Sequence, residues 1–278
     1  MIKRDGMEIK GFRNKNASLA RDILDICKTG EYTSANGVIV DISTALAKAK
    51  AGTIFYEDLI DQTEITPIVP TLEVINETTT QAATRLLAAG KENLVALNFA
   101  SARCPGGGFL AGAQAQEEDL CRASALYPCI KNKPMYYNAN ILCDDTYYTD
   151  GIIYSPEVPF FRNDHSMFLE EPYLLSIITA PAPNVSAINL TIDSQEKQMA
   201  TLYFRMVKIL QIAHKHGHKN LILGAWGCGA FGNNPTIVAL QFLQALETVP
   251  AFEHVSFPVY DTREGAVLFE TFKQVVVK

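Results

Sequence analysis

Gly106-Gly107-Gly108 is followed after seven residues by Gln116-Glu117-Glu118, and these are the residues best equipped for chemistry. Three consecutive glycines let a backbone approach a ligand with no Cβ in the way, and they tolerate positive φ. The two carboxylates open an expected helix that runs to about Tyr127. A glycine loop with acid at its far end suits a polar ligand held by backbone N–H groups while a side-chain acid acts on it.

A second loop carries the same signature. Gly224-Ala225-Trp226-Gly227-Cys228-Gly229-Ala230-Phe231-Gly232-Asn233 leads into Asn234-Pro235, an N-cap and first-turn pair for a helix. Helix N-termini attract anions, so two such loops side by side would enclose a diphosphate. Neither loop is a nucleotide fingerprint. No Lys-Ser or Lys-Thr follows the glycines, and the spacing is not G-x-G-x-x-G.

Other reactive side chains are less informative. Cys228 sits in a glycine-rich turn, but no histidine is placed to activate it, which argues against a thiol nucleophile. The cysteines at 27, 104, 121, 129, 143 and 228 form no Cys-x-x-Cys pair, and the five histidines have no metal-ligand spacing. Neither a metal nor a cofactor is therefore expected. His214, His216 and His218 read as a solvated helix end with favourable dipole placement. Arg103 and Arg122 are either phosphate-facing or ion-paired. Trp226 and Phe231 are either core aromatics or ligand contacts.

The elements that must position these residues follow from periodicity. Leu94–Phe99 and Leu221–Leu223 are short apolar runs of the buried-strand type, so each glycine loop links a strand to a helix. That order puts a site at the carboxyl ends of strands. Residues 1–64 read as a separate N-terminal layer. Leu19, Ala20, Ile23, Leu24 and Cys27 have helical spacing before Gly30, Val38-Ile39-Val40 is a strand, and Ser43 caps a helix ending near Gly52. From 65 to 278 strands and helices alternate. Ile68 to Ile75 is an edge strand because of Pro70, and Thr78 to Ala89 is a helix. Residues 130–170 are rich in aromatics without periodicity and read as a long ordered connection. Leu174 to Thr179 is a strand. Asp193 with Glu196 caps an amphipathic helix through Ala213. His254 to Val259 is a strand, and Arg263 to Val275 a helix.

Composition narrows the classes. The 278 residues are 48% hydrophobic and 19% charged, as in an ordinary globular protein. No run of about 18 apolar residues marks a membrane span. The N-terminus lacks the apolar stretch of a signal peptide, so a cytosolic location with reduced thiols is expected. The net charge of −6 argues against a basic groove tracking a nucleic acid.

Several segments together resemble the bacterial-type poly(ADP-ribose) glycohydrolases, which are built on a macrodomain. They are Asn98-Phe99-Ala100-Ser101-Ala102-Arg103, the triple glycine, Gln116-Glu117-Glu118, and Gly227-Cys228-Gly229-Ala230-Phe231-Gly232-Asn233. Tyr154-Ser155-Pro156, Val158-Pro159-Phe160-Phe161-Arg162 and Ala180-Pro181-Ala182-Pro183-Asn184 add to the match. The resemblance implies a three-layer α/β/α sandwich with a mixed sheet, carrying residues 1–64 as a mostly helical extension on a 65–278 core. It implies hydrolysis of poly(ADP-ribose), or of ADP-ribosylated protein, with ADP-ribose as product. Alternatives are a hydrolase of single ADP-ribose units on protein or nucleic acid, and a reader without turnover.

The resemblance also assigns residues. Glu118 matches the catalytic acid, and Glu117 the neighbour that holds ribose hydroxyls. Gly106, Gly107 and Gly108 match the loop under the diphosphate and distal ribose. Gln116, in the same motif, is an expected substrate contact. Asn98 falls where animal relatives bind adenine, and Ser101 where they contact ribose. Gly227, Cys228, Gly229, Ala230 and Phe231 match the second ligand loop. Ordinary glycosidases flank the scissile bond with two carboxylates roughly 5–10 Å apart. Neighbouring helical residues point about 100° apart, so Glu117 and Glu118 cannot do so. One acid/base residue must then suffice, with burial and the charge on Glu117 expected to raise the pKa of Glu118.

Overall fold

A computed structural model describes residues 6–58, 60, 64–187 and 191–277. The first five residues, part of the segment where a signal peptide was sought, lie outside that range. In chain order the elements are α1 (Gly6–Thr29), β1 (Glu31–Thr33), β2 (Ile39–Asp41), α2 (Ser43–Gly52), β3 (Ile54–Tyr56), β4 (Thr71–Ile75), α3 (Thr79–Ala88), β5 (Leu94–Phe99), α4 (Gln116–Ala123), α5 (Leu126–Ile130), α6 (Pro134–Leu142), β6 (Ile152–Arg162), β7 (Phe168–Ala180), α7 (Ile192–Lys215), β8 (Asn220–Ile222), α8 (Pro235–Thr248), β9 (His254–Pro258) and α9 (Val267–Val276).

Seven strands form one mixed sheet in the order β3-β6-β7-β5-β8-β9-β4. The five strands from β7 to β4 are parallel, and β6 runs against both its neighbours. Side chains alternate across a strand, and β5 uses both faces. Val95 and Leu97 enter a core shared with α7, α8 and α9. Leu94 and Ala96 enter a second core with α1 to α6. The result is the expected α/β/α sandwich. The N-terminal segment supplies α1, a β1–β2 hairpin, α2 and β3, and β3 pairs with β6 at the sheet edge. No helix among the described residues is long and apolar enough to cross a membrane.

Parallel strands set the geometry of the site. The loops after β5 and β8 leave neighbouring, parallel strands at the same edge of the sheet, so both glycine loops meet there.

Several local expectations need correction. The acidic helix stops at Ala123 rather than Tyr127, because Ser124 turns extended (φ −148°, ψ 178°) and pairs with Phe160. Its hydroxyl then caps Leu126 N–H to start α5. Residues 130–170 are not a connection. They contain α6, all of β6 and the start of β7. Both faces of β6 are largely buried, so it has no alternation to read. A bulge at Pro156 and Glu157 (φ +45°) also interrupts its register. Ser43 lies inside α2 and is itself held by Asp41 Oδ1, which accepts Ser43 N–H. Thr191 and Ser194, not Asp193 and Glu196, form the capping box of α7. Strand β4 starts at Thr71 and α9 at Val267, each later than expected.

Candidate functional site

Helix α4 begins at the edge of the sheet and aims three consecutive side chains inward. Gln116 comes first and is fully engaged. Its Oε1 accepts Phe99 N–H (2.8 Å), and its Nε2 donates to Leu97 O (2.8 Å) and Thr79 Oγ1 (3.1 Å). It therefore clamps α4 to β5 and α3. The residue expected to contact substrate is thus anchored by the protein itself.

Glu117 is buried (3% exposed). Its Oε2 accepts Ser101 N–H at 2.7 Å and its Oε1 accepts Asn98 Nδ2 at 3.2 Å. Burial outweighs these bonds, and together with the Glu118 charge it pushes the carboxyl up to about 8. Glu118 is held differently. Its Oε1 accepts Gly108 N–H at 2.8 Å. Its other oxygen accepts no hydrogen bond among the described residues. A carboxyl anchored through one oxygen with the other open is arranged to exchange a proton with a ligand.

The triple glycine wraps this pair. Gly106 and Gly107 take positive φ (+68° and +57°), and a Cβ on Gly107 would collide with Glu118 Oε1. Gly107 N–H closes a turn onto Cys104 O, and Gly108 N–H binds Glu118. The loop was expected to lie under a diphosphate. In this structure the amides of Gly107 and Gly108 serve the protein, and the loop acts as a seat for the carboxylates.

The second loop is the opposite case. Asn233 ties it internally, donating to Gly227 O and Pro183 O and accepting Gln198 Nε2. The helix end behind it is not a free anion site, because Asn234 Oδ1 already accepts Thr236 N–H and Ile237 N–H. The amides of Gly229, Ala230 and Phe231, however, donate to no protein acceptor among the described residues. Gly229 and Ala230 are exposed. Successive unpaired amides of this kind form an anion-binding concavity.

A wall joins the two loops. The Arg103 guanidinium donates to Asn140 O and Cys143 O and lies 5.6 Å over the Tyr148 ring. Tyr148 in turn stands 6.1 Å from Phe231. Tyr148 has φ +63°, and Arg205 holds its carbonyl at 2.9 Å. Its position in an aromatic-rich segment without periodicity hid it from sequence reading. Arg122 is ion-paired with Asp119, and Trp226 is a core residue that donates to Ala180 O.

Three further residues are described by their surroundings. Asn98 has no exposed surface and bonds Glu117 and Thr179, so it lies behind the carboxylate instead of facing an adenine. Ser101 acts through its backbone, with Oγ accepting Cys104 N–H. Burial pushes the Cys228 thiol up to about 12, which keeps it protonated. Among the described residues no cluster of His, Cys, Asp or Glu could hold a metal ion.

Comparison with known proteins gives a consistent pattern. Residues 20–163 match the family described as "Microbial-type PARG, catalytic domain". A poly(ADP-ribose) glycohydrolase structure from Thermomonospora curvata is 39% identical, with a TM-score of 0.86, covering 94% of this chain and 99% of that one. The same protein bound to the inhibitor ADP-HPD gives 39% identity and a TM-score of 0.85 over 94% of this chain and 99% of that one. A Deinococcus radiodurans poly(ADP-ribose) glycohydrolase in complex with ADP-ribose is 40% identical, with a TM-score of 0.74, covering 83% of this chain and 96% of that one. Among curated proteins none matches.

Proposed function

The chain belongs to the microbial-type poly(ADP-ribose) glycohydrolases, and we propose that it performs their reaction through Glu118 alone as acid and base, with Glu117 as the ribose-holding partner. The protein is a glycosidase that hydrolyses poly(ADP-ribose). The observation that carries the division of roles is the asymmetry of the two carboxyls. Glu117 has both oxygens bonded inside the protein, whereas Glu118 has one without a partner among the described residues.

The reaction follows from that arrangement. Glu118 donates a proton to the ribose oxygen that leaves the anomeric carbon, and the C–O bond breaks. The resulting carboxylate takes a proton from water as the water oxygen bonds to that carbon. ADP-ribose is released, and the remaining polymer keeps a ribose hydroxyl. The amides of Gly229, Ala230 and Phe231 hold the diphosphate, and Phe231 with Tyr148 covers the ribose. Release of single terminal units, exo-type, is consistent with a site that grips one ADP-ribose between two loops. Binding should then depend only weakly on salt, because backbone amides rather than many lysines meet the phosphates. Residues 1–64 are the extension and 65–278 the catalytic core, with β3 lending one edge strand. A cytosolic location is supported by the free thiols of all six cysteines.

The test is Glu118→Gln. The amide keeps size and accepts Gly108 N–H but can neither give nor take the proton. Release of ADP-ribose from polymer should fall by at least about 10²-fold, with ADP-ribose affinity by calorimetry within a few-fold of the parent. Near-normal turnover would overturn the role of Glu118.

A further inference from the structure

Behind Glu117 lies a pair of buried polar residues that the reaction itself does not touch. Asn98 on β5 and Thr179 on β7 stand in register across the sheet, and both have no exposed surface. Asn98 Nδ2 donates to Glu117 Oε1 and to Thr179 Oγ1, each at 3.2 Å. Asn98 Oδ1 is buried without a partner. A fully buried amide with one end unpaired is costly, and such a group calls for an explanation.

The explanation lies in the symmetry of the carboxamide. Its donor and acceptor ends have nearly the same shape, and a hydroxyl can donate or accept. With Glu117 ionised, Nδ2 must face Oε1, and Thr179 accepts the second amide hydrogen. With a proton on Glu117 Oε1, a half-turn of the amide presents Oδ1 to that proton. Thr179 then donates its own hydrogen to Oδ1. Glu117 finds a partner in either state without moving, but only beside the ionised carboxylate are both amide hydrogens paired, so the pair favours that state.

We propose that Asn98 and Thr179 are positioning residues that hold Glu117 in one geometry in both of its protonation states, and thereby set the pH range over which the Glu117–Glu118 pair works. This rests on reading Glu118 as the acid and base and Glu117 as the residue that holds ribose beside it. Other titratable groups face Glu117 from two elements. Glu118 and Cys121 come from α4, and Tyr136 and Tyr137 come from α6. Burial raises the thiol and both phenols, so they stay neutral. Only Glu118 adds a neighbouring charge, and the amide is the side-chain donor that can answer it.

Two readouts separate positioning from mere support. The first is the titration of Glu117 in the ligand-free full chain, followed by the carboxyl ¹³C resonance that disappears in Glu117→Gln. Thr179→Val, which keeps shape and removes the hydroxyl, should move that titration to higher pH, and Asn98→Leu should move it further. Thr179→Ser should restore it. The second is the pH profile of polymer hydrolysis, whose acidic limb should move with the titration. In both disruptive variants kcat should fall roughly tenfold while KM changes little. An unmoved Glu117 titration in Thr179→Val would overturn the proposal, as would a Thr179→Ser variant that behaves like Thr179→Val. Because the titration needs no turnover, a wild-type protein that released no ADP-ribose would defeat the functional reading and leave this result standing.

Discussion

Glu117 and Glu118 share a helix turn but not an environment, and the difference has consequences that can be measured. Gly107 lies against both carboxyls at φ +57°, where a Cβ would strike Glu118 Oε1. Gly107→Ala therefore combines a left-handed penalty of roughly 1–2 kcal/mol with displacement of the catalytic acid. Its kcat should fall by at least about tenfold, with only a modest drop in melting temperature. A variant with normal kcat would mean the loop does not seat Glu118. Glu117 makes a second prediction through linkage. Its folded pKa is raised from 4.5 to about 8, so the folded state keeps a proton that the unfolded chain loses. The favourable contribution is complete below the unfolded value and is lost as pH rises through that window. The slope is at most about 1.4 kcal/mol per pH unit. Glu117→Gln should flatten this slope and melt higher than the parent at pH 8, while losing both ADP-ribose binding and rate. Parallel melting curves from pH 5 to 8 would remove Glu117 as the source.

At the scale of elements, what was legible in the sequence and what was not divide along a physical line. The strand before each glycine loop, the cap at Asn234 and the stop at Gly30 rest on local chemistry, and they stand. Strand β6 and the break at Ser124 depend on one another across 36 positions of sequence, so neither leaves a local trace. Asn98 and Gln116 were visible as members of a motif, but their burial depends on α4 docking onto β5. The histidines near the end of α7 show the same limit. His216 stacks on Tyr154 at 3.7 Å and meets Tyr56 Oη at 2.8 Å. His218 meets Tyr154 Oη at 2.9 Å and Asn93 O at 3.1 Å. They are not a solvated helix end but a buried joint between β3, β6 and α7. Burial lowers His216 and brings His218 down to about 4. A depressed histidine means the unfolded state binds the extra proton first. Stability is therefore full above the ordinary value of 6.5 and erodes as pH falls toward about 4. This loss opposes the gain from Glu117 over the same range, so in a Glu117→Gln background melting temperature should drop from pH 7 to pH 5, and adding His218→Gln should reduce that drop. An equal drop in the variant would place the acid sensitivity elsewhere.

At the scale of the whole molecule, the N-terminal helix and the catalytic edge are mechanically joined. Helix α1 packs Ala20, Ile23 and Ile26 into the core that also holds Phe109 and Leu120, on either side of the segment linking the glycines to the carboxylates. At Gly112 the contact becomes backbone on backbone. Gly112 has φ +73°, Asn16 Nδ2 reaches its carbonyl at 3.4 Å, and a Cβ there would collide with Arg13 O. The extension thus fixes the far end of the loop whose near end seats Glu118. Gly112→Ala would have to push α1 away or pull the loop from its place, and a control separates that effect from backbone strain. Gly37, in the β1–β2 turn, has nearly the same φ of +78° with nothing within 4 Å of a Cβ. Gly37→Ala should cost only the left-handed penalty of roughly 1–2 kcal/mol and leave polymer hydrolysis untouched. Gly112→Ala should lose more stability than that, and its kcat should fall by about tenfold or more although no residue that meets the substrate has changed. Equal melting temperatures and equal turnover in the two variants would mean that the extension packs beside the catalytic edge without supporting it.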